Sequence, residues 1–408
     1  MTMRIAVVGD LNPGRAADLL AQGFADAYPA AQIEGYPEGL GQTWTDLADP
    51  EHLADIDLIV WSKSRALARR FDQNGMFIAA EQTGTRTVSF HLDRWWGLAR
   101  ASEVMTDPFF QSDIVVTTDG GNDHLWQRSG VEHRWLPPAT AAADTRHVGK
   151  RVDRVVGKAV FIGSWEAYPH PEWKYRGALI RRLKRRFGPR LLTFPGADGR
   201  RVTGAELADI ISSAAVVIGD SALPATGRYW SDRVPITLGH GGVLVHPEVD
   251  GMDAYFTSGV HYLGAPIEDI DALGDVVASV LAGEVDSAAI RAAGREAVIA
   301  GHTYAERARQ IVALSGYEEV EPNSPRLPSP DAPLVFVSAA DEDAASEADA
   351  MSSFAEAMAD SAGEPDSASS PPSSPSPSPA ASPSRPSPDS SRSGKAALAA
   401  LPPGLLSP

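Results

Sequence analysis

"KAVFIGS", residues 158–164, decides the fold, because it restarts a pattern already present in the first half of the chain. A short apolar run ends in Gly-Ser, as a buried strand ends at a turn. A helical stretch follows, "EWKYRGALIRRLKRRFG" (172–188), with Leu179, Ile180, Leu183 and Phe187 on one face and Gly188-Pro189 as its stop. Then come a strand in "RLLTFPG" (190–196), a helix in "TGAELADIISSA" (203–214) with Thr203 as its cap, and strands in "AVVIGDS" (215–221) and "GGVLVHP" (241–247). "IEDIDALGDVVASVLAG" (267–283) is an amphipathic helix. Upstream the order is the same. "MRIAVVGD" (3–10) is a strand and "RAADLLAQGFADAY" (15–28) a helix, with Ala16, Leu19, Leu20, Gly23 and Phe24 at helical spacing. Strands follow in "IDLIVWS" (56–62), "TRTVSFH" (85–91), "SDIVVTTDG" (112–120) and "HRWLPPA" (133–139), the last entering a proline-rich crossover.

Strands that alternate with helices imply parallel sheets covered on both faces. The chain therefore reads as α/β, with two Rossmann-like domains facing a cleft. They span 1–145 and 155–300, and a closing helix lies at 303–315, where Thr303 and Glu306 form a capping box. Ligands of such sheets sit beyond the carboxyl ends of the strands, and pockets favour domain interfaces. Polar and glycine-rich clusters fall at those ends: Gly9-Asp10, Ser62-Lys63, His91 to Asp93, Asp119 to Gly121, Gly163-Ser164 and Gly219 to Ser221.

Composition narrows the class. The 408 residues carry a net charge of −17 and no cysteine, which excludes a disulfide scaffold, a zinc ribbon and a thiol nucleophile. Residues 321–408 are rich in Ser and Pro, with 12 acidic and 4 basic residues, and read as a disordered tail. Within it only "PLVFV" (333–337) and "FAEAMA" (354–359) are apolar enough to dock. No apolar stretch is long enough to span a membrane, and the N-terminus runs straight into a strand, so neither a span nor a signal peptide is expected. A cytoplasmic protein is the expectation. The acidic balance argues against a dedicated nucleic-acid binder. The basic run Arg181, Arg182, Lys184, Arg185 and Arg186 reads as a solvated helix face near a C-terminus, where cations are favoured.

Motifs exclude several chemistries. "VVGDLNPG" is not the dinucleotide fingerprint, and neither a P-loop nor a nucleophile elbow occurs. No spacing resembles a closed metal site, so no metal ligand is assigned. Gly163 and Ser164 end a strand where backbone N–H groups can approach a diphosphate, and His170, Lys174 and Arg176 near the next helix start can add positive charge. A plain strand-to-helix loop is the alternative for Gly163 alone. The densest cluster lies in "GDSALPATGRYWSDRVPITLGHGGVLVHPEVDGMDAYF" (219–256). Arg233 opens a helix there and offers bidentate anion binding; the alternative is that it pairs with Asp220 or Asp232.

These residues carry a resemblance. "YWSDR" (229–233), "LGHGG" (238–242), "HPEVDGM" (246–252) and "GREAVIAGHTYAERARQIV" (294–312) resemble the second half of glycosyltransferases of the spore-maturation type, GT-B enzymes common in bacteriophage genomes. "FHLDRWWGLAR" (90–100), "DPFFQSDIVVTTDGG" (107–121) and "VEHRWLPPA" (131–139) resemble the first half of the phage-type members. The resemblance covers about residues 1–315. It implies a nucleotide-sugar donor held mainly by the second domain, an acceptor held mainly by the first, and no metal. Gly163, Ser164, Lys174, Arg176 and Arg233 are then diphosphate candidates. Gly241 and Gly242 would admit the donor, with His246, Glu248 and Asp220 beside it. Similar enzymes tend to place a Glu three residues after the motif arginine, and this chain has Ile236.

Glycosyl transfer needs a stabilised leaving group, an aligned acceptor hydroxyl and often a base. His91 and Asp93, at the end of the 85–91 strand, are the base candidates, with Asp119 and His124 in reserve near the acceptor. Trp95 and Trp96 are expected to form an aromatic acceptor wall, or else to pack under the loop. Arg94 and Arg100 are expected to pair at the surface. The acceptor is a protein, a glycan or a modified DNA base. A sugar-nucleotide epimerase and a non-catalytic nucleotide-sugar or protein-binding module are the alternative functions.

Overall fold

A computed structural model describes residues 3–64, 71–147, 149–165, 174–196, 199–202, 204–222 and 227–317. The expected tail, His170 and the Thr203 cap lie outside the described residues.

The first half alternates β1 (Arg4–Gly9), α1 (Ala16–Ala27), β2 (Gln32–Pro37), α2 (Gly41–Leu47), α3 (Pro50–Leu53), β3 (Leu58–Ser62), α4 (Asn74–Thr83), β4 (Arg86–His91), β5 (Ile114–Thr117), α5 (Asp123–Ser129) and β6 (His133–Trp135). Its six strands pair in parallel in the order β2-β1-β3-β4-β5-β6. β3 is buried at every position, as a central strand with helices on both faces must be. β2, "QIEGYP", has no apolar run because it is an edge strand with little burial, and sequence patterning passes over it for that reason.

The second half runs through β7 (Ala159–Ile162), α6 (Lys174–Phe187), β8 (Leu191–Phe194), α7 (Gly204–Ser213), β9 (Val216–Ile218), α8 (Arg233–Gly239), β10 (Leu244–Pro247), β11 (Leu263–Ala265), α9 (Ile270–Ala282) and α10 (Ser287–Gly301). The parallel order is β11-β10-β9-β7-β8. Each sheet thus reverses strand order once, between β1 and β3 in the first and between β7 and β9 in the second. The crevice at such a switch point is where α/β sheets bind ligands.

The last helix, α11 (Tyr304–Leu314), returns to the first half and packs on α1. Gly23 lets α1 come close, since a Cβ there would lie 2.5 Å from the Tyr304 carbonyl oxygen. Thr303 caps α11 by accepting from the Glu306 N–H at 3.4 Å. The Glu306 carboxylate pairs with Arg309 instead of completing the box. Other contacts tie the halves together. Thr140 bridges to Thr303, and Arg295 donates to the Thr145 carbonyl at 2.8 Å. The Trp135 indole N–H donates to the Arg228 carbonyl at 2.7 Å. Arg228 is itself a non-glycine residue in the left-handed region, at φ 56°.

The arginines of the basic run on α6 are exposed, as expected of a solvated face, while Lys184 is half-buried over the Trp165 ring. Arg182 forks onto Asp271 and Arg186 reaches Asp275, so two of these cations pin α6 to α9.

Candidate active site

At the β7/β9 switch point three charged side chains meet. Asp220, just past β9, is fully buried between two arginines. Arg176 from α6 donates through Nε to Oδ2 at 2.5 Å, and Arg233 from α8 donates to Oδ1. Arg176 also donates to the Ser164 carbonyl at 3.2 Å. Both guanidinium groups lie over the Phe161 ring, at 5.9 and 5.4 Å from its centroid. Burial alone pushes the Asp220 carboxyl up, but the charges of Arg176 and Arg233 outweigh it and hold the group below the usual carboxylate range. Gly163, at the end of β7, has φ 141°, and a Cβ there would lie 2.9 Å from the Arg233 guanidinium. Glycine therefore keeps the approach to Arg233 open. The pairing of Arg233 with Asp220, the alternative to an anion role for this residue, is present in this cluster.

His246 ends β10 beside this cluster and is fully buried, with its ring against the Gly219 backbone. Its Nδ1 lies 2.6 Å from the Pro247 carbonyl and so carries the proton. Burial pulls its pKa down to about 4, which keeps the ring neutral near pH 7. Glu248 follows β10 on the exposed side, against Gly264. Lys174 starts α6, and its side chain lies outside the described residues. Gly241 and Gly242 correct an expectation: they precede β10, at the amino end of the strand, opposite the ligand edge. Gly241, at φ 69°, turns the chain out of α8, and a Cβ on Gly242 would meet Ile211 and Thr237 at 2.7 and 2.8 Å. They serve packing between α7 and α8. Ile236 likewise packs against the apolar cluster of Val160, Ile210 and Ile211.

On the first sheet, His91 ends β4 and its Nδ1 accepts the Asp93 N–H at 3.0 Å. The Asp93 carboxylate lies 4.0 Å from the same nitrogen and 3.3 Å from Arg100. Trp95 is no exposed wall. It is 0% exposed, stacked on Phe109 and set edge-on to Phe110. Trp96 is partly buried and meets Trp126 edge-on at 5.3 Å. Asp119 is also committed elsewhere: its Oδ2 accepts the backbone N–H of both tryptophans at 2.8 Å, and Asn122 donates to Oδ1. It shapes the loop and does not face an acceptor. His124 is exposed on α5. Arg94 and Arg100 are buried, not surface residues; they donate to the carbonyls of Trp96 and Arg94 and lock the turn. The aromatic cluster around "LDRWWG" is thus mostly scaffold, with His91 and Asp93 at its edge.

The two halves face each other here. Asp232, directly before α8, has its carboxyl pushed up by burial, and Asp93 of the first half adds to the shift. A carboxylate beyond β4 and the arginine-bearing helix α8 are therefore within electrostatic reach. Sequence reasoning gave Asp232 no role of its own, because an Asp beside an Arg reads as a local pair. It also missed Glu38, which lies beyond an edge strand that carries no apolar signal.

Comparison with known proteins agrees with this layout. Residues 141–313 match a family described as Glycosyl transferase-like. No curated protein sequence matches. Among solved structures, Anabaena HepE in complex with UDP and glucose is similar at a TM-score of 0.52 and 11% identity, over 77% of this chain and 99% of that one. An alpha-glucosyltransferase in complex with UDP-glucose and DNA containing an abasic site is similar at 0.54 and 9%, over 78% and 100%. Sucrose-phosphate synthase from Thermosynechococcus elongatus is similar at 0.51 and 14%, over 76% and 98%.

Proposed function

We propose that this chain, a glycosyl transferase-like protein with the GT-B fold, moves a sugar from a nucleotide-sugar donor to a hydroxyl acceptor. One observation carries the reading: the Arg176–Asp220–Arg233 cluster, two guanidinium groups buried on one carboxylate, sits beside Gly163 at the switch point of the second sheet. A leaving diphosphate gathers negative charge as the glycosidic bond breaks. Fixed cations in a buried site stabilise that charge without reorganising. Two of the similar solved structures hold UDP with glucose or UDP-glucose, and a nucleoside diphosphate is the corresponding ligand proposed here. No resident metal or cofactor enters the reading.

On the acceptor side, Asp93 is the better base of the two candidates. The His91 Nδ1 lone pair is taken up by the Asp93 N–H, so in the neutral ring the proton sits on Nε2. His91 then keeps its proton on Nε2, which leaves the Asp93 carboxylate, contacted by Arg100 at 3.3 Å, as the candidate base. Glu248, exposed past β10, is left as a candidate for donor hydroxyls. No helix among the described residues is long and apolar enough to cross a membrane, and we place the protein in the cytoplasm.

Thermal unfolding with added ligand tests the donor site. A nucleoside diphosphate at a hundredfold excess over its Kd should stabilise the wild type by about 2.7 kcal/mol. Gly163→Ala should lose most of this gain and also melt lower without ligand, because φ 141° is strained for alanine and its methyl group displaces the Arg233 guanidinium from Asp220. If no nucleoside diphosphate or nucleotide sugar moves the wild-type transition, the donor reading is wrong.

A further inference from the structure

The first sheet has its own switch point, between β1 and β3, and a carboxyl group is built into it. Glu38 follows β2 and is fully buried. Its N–H donates to the Gly9 carbonyl at 3.0 Å, at the end of β1. Its Oε1 accepts the Ser64 N–H at 2.7 Å and its Oε2 the Trp61 indole N–H at 3.1 Å, both at the end of β3. Its own carbonyl accepts the Trp44 indole N–H at 2.9 Å. One residue thus spans the crevice from strand to strand. The crevice is tight, since a Cβ on Gly9 would lie 2.5 Å from the Ser62 carbonyl oxygen.

The neighbouring charges pair with one another. Past β1, Asp10 pairs with Arg15 at 2.9 Å. Past β3, Lys63 pairs with Asp107. On α2, Asp46 accepts from Gln42 at 2.6 Å. Among the described residues no cation sits on Glu38. A glutamine would fill the same space without a buried charge, so keeping a carboxylate here works against stability. Groups of this kind are retained where a site needs them.

We propose that Glu38 is a positioning residue of the acceptor side: by bridging Gly9 to Ser64 it holds the crevice of the first sheet in the shape that seats a polyhydroxylated acceptor. The proposal rests on the transferase reading above. Because Arg15 and Lys63 are each matched by a carboxylate, the crevice has no surplus positive charge, which fits an uncharged acceptor.

A pH dependence of acceptor KM, set beside that of stability, separates a positioning role from a merely structural one. Burial pushes the Glu38 carboxyl up to about 7, whereas its ordinary value is 4.5. Between those values only the folded state holds the proton. Stability from this group is therefore present at low pH and lost as pH rises through 7. The buried imidazoles His133, His246 and His302, lowered by burial to about 3, 4 and 3, act in the opposite direction. The informative quantity is then the difference between variant and wild type.

The experiment uses the full chain, its Glu38→Gln and Glu38→Asp variants, and the donor and acceptor that the wild type turns over. Glu38→Gln should melt higher than the wild type at pH 8, and less so at pH 5. Its KM for acceptor should rise about tenfold or more, as expected for a misplaced site, with donor affinity unchanged. Its acceptor KM should also lose the pH dependence that the wild type shows around 7. Should the Gln variant fold poorly, Glu38→Asp, which keeps the charge on a shorter arm, should show the same rise in KM. Unchanged acceptor KM in a folded variant of an active wild type overturns the role of Glu38 alone. Absence of any turnover by the wild type overturns both this role and the transferase reading.

Discussion

Asp220→Ala is expected to lose about 3–5 kcal/mol of folding stability, because it leaves two buried arginines without their carboxylate. Arg176 is 0% exposed and Arg233 only 6%. Neither can reach bulk water without unpacking α6 or α8. The Ser164 carbonyl and the Phe161 ring still contact Arg176, but neither carries a compensating charge. Asp220→Asn should fall between the two, since its amide oxygen can accept from one arginine while its NH2 faces the other. Inorganic pyrophosphate gives the variant a second, more specific readout. If the two arginines line an anion site, pyrophosphate should raise the melting temperature of Asp220→Ala more than that of the wild type, because it restores negative charge the variant lacks. Equal shifts would show that the cluster is a structural ion pair only.

Arg307→Ala is the second large effect. Arg307 is fully buried, and its guanidinium donates to the carbonyls of Pro137 at 2.6 Å, Pro138 at 3.3 Å and Gly301 at 3.0 Å, and to the Gln310 side chain at 2.9 Å. His302 adds a fifth contact at 3.1 Å. The pinned segments are the crossover out of the first sheet and the turn between α10 and α11. Burial lowers its pKa to about 10, so it stays charged at neutral pH. Removing it leaves several buried carbonyls without donors, at about 1–3 kcal/mol each before relaxation. A total loss near 4 kcal/mol and a drop in melting temperature of about 10 °C are expected by calorimetry. Arg307→Lys should recover little, because an ammonium group cannot fork across both proline carbonyls.

The repeat of strand and helix was legible because central strands must be apolar throughout, as "IDLIVWS" and "KAVFIGS" are. β2 escaped notice for the opposite reason, since an edge strand pairs through its backbone and needs no apolar run. Arg233 and Gly163 were legible as candidates because each sits at a strand or helix end, and the structure brings them together. Gly241 and Gly242 look the same in sequence, yet they lie at the wrong end of β10, which only the direction of the strand reveals. "LDRWWG" was misread because polar and aromatic residues side by side suggest a site, whereas here Asp119, Arg94 and Arg100 spend their polar atoms on the backbone of the turn. Burial of this kind arises from contacts between residues distant in sequence and leaves no local signature. The same holds for Glu38, whose partners come from β1 and β3.

On the proposed function, the Arg176–Asp220–Arg233 cluster holds the leaving diphosphate of a nucleotide sugar. Its most direct test is nucleoside diphosphate release from a panel of nucleotide sugars, with and without hydroxyl acceptors, by the wild type and by Arg233→Ala. The expected result is acceptor-dependent release from at least one donor, reduced about a hundredfold or more in the variant, the size typical of a lost transition-state donor. Release from no donor with any acceptor, interconversion of a free nucleotide sugar without release, or an Arg233→Ala variant as fast as the wild type would contradict it.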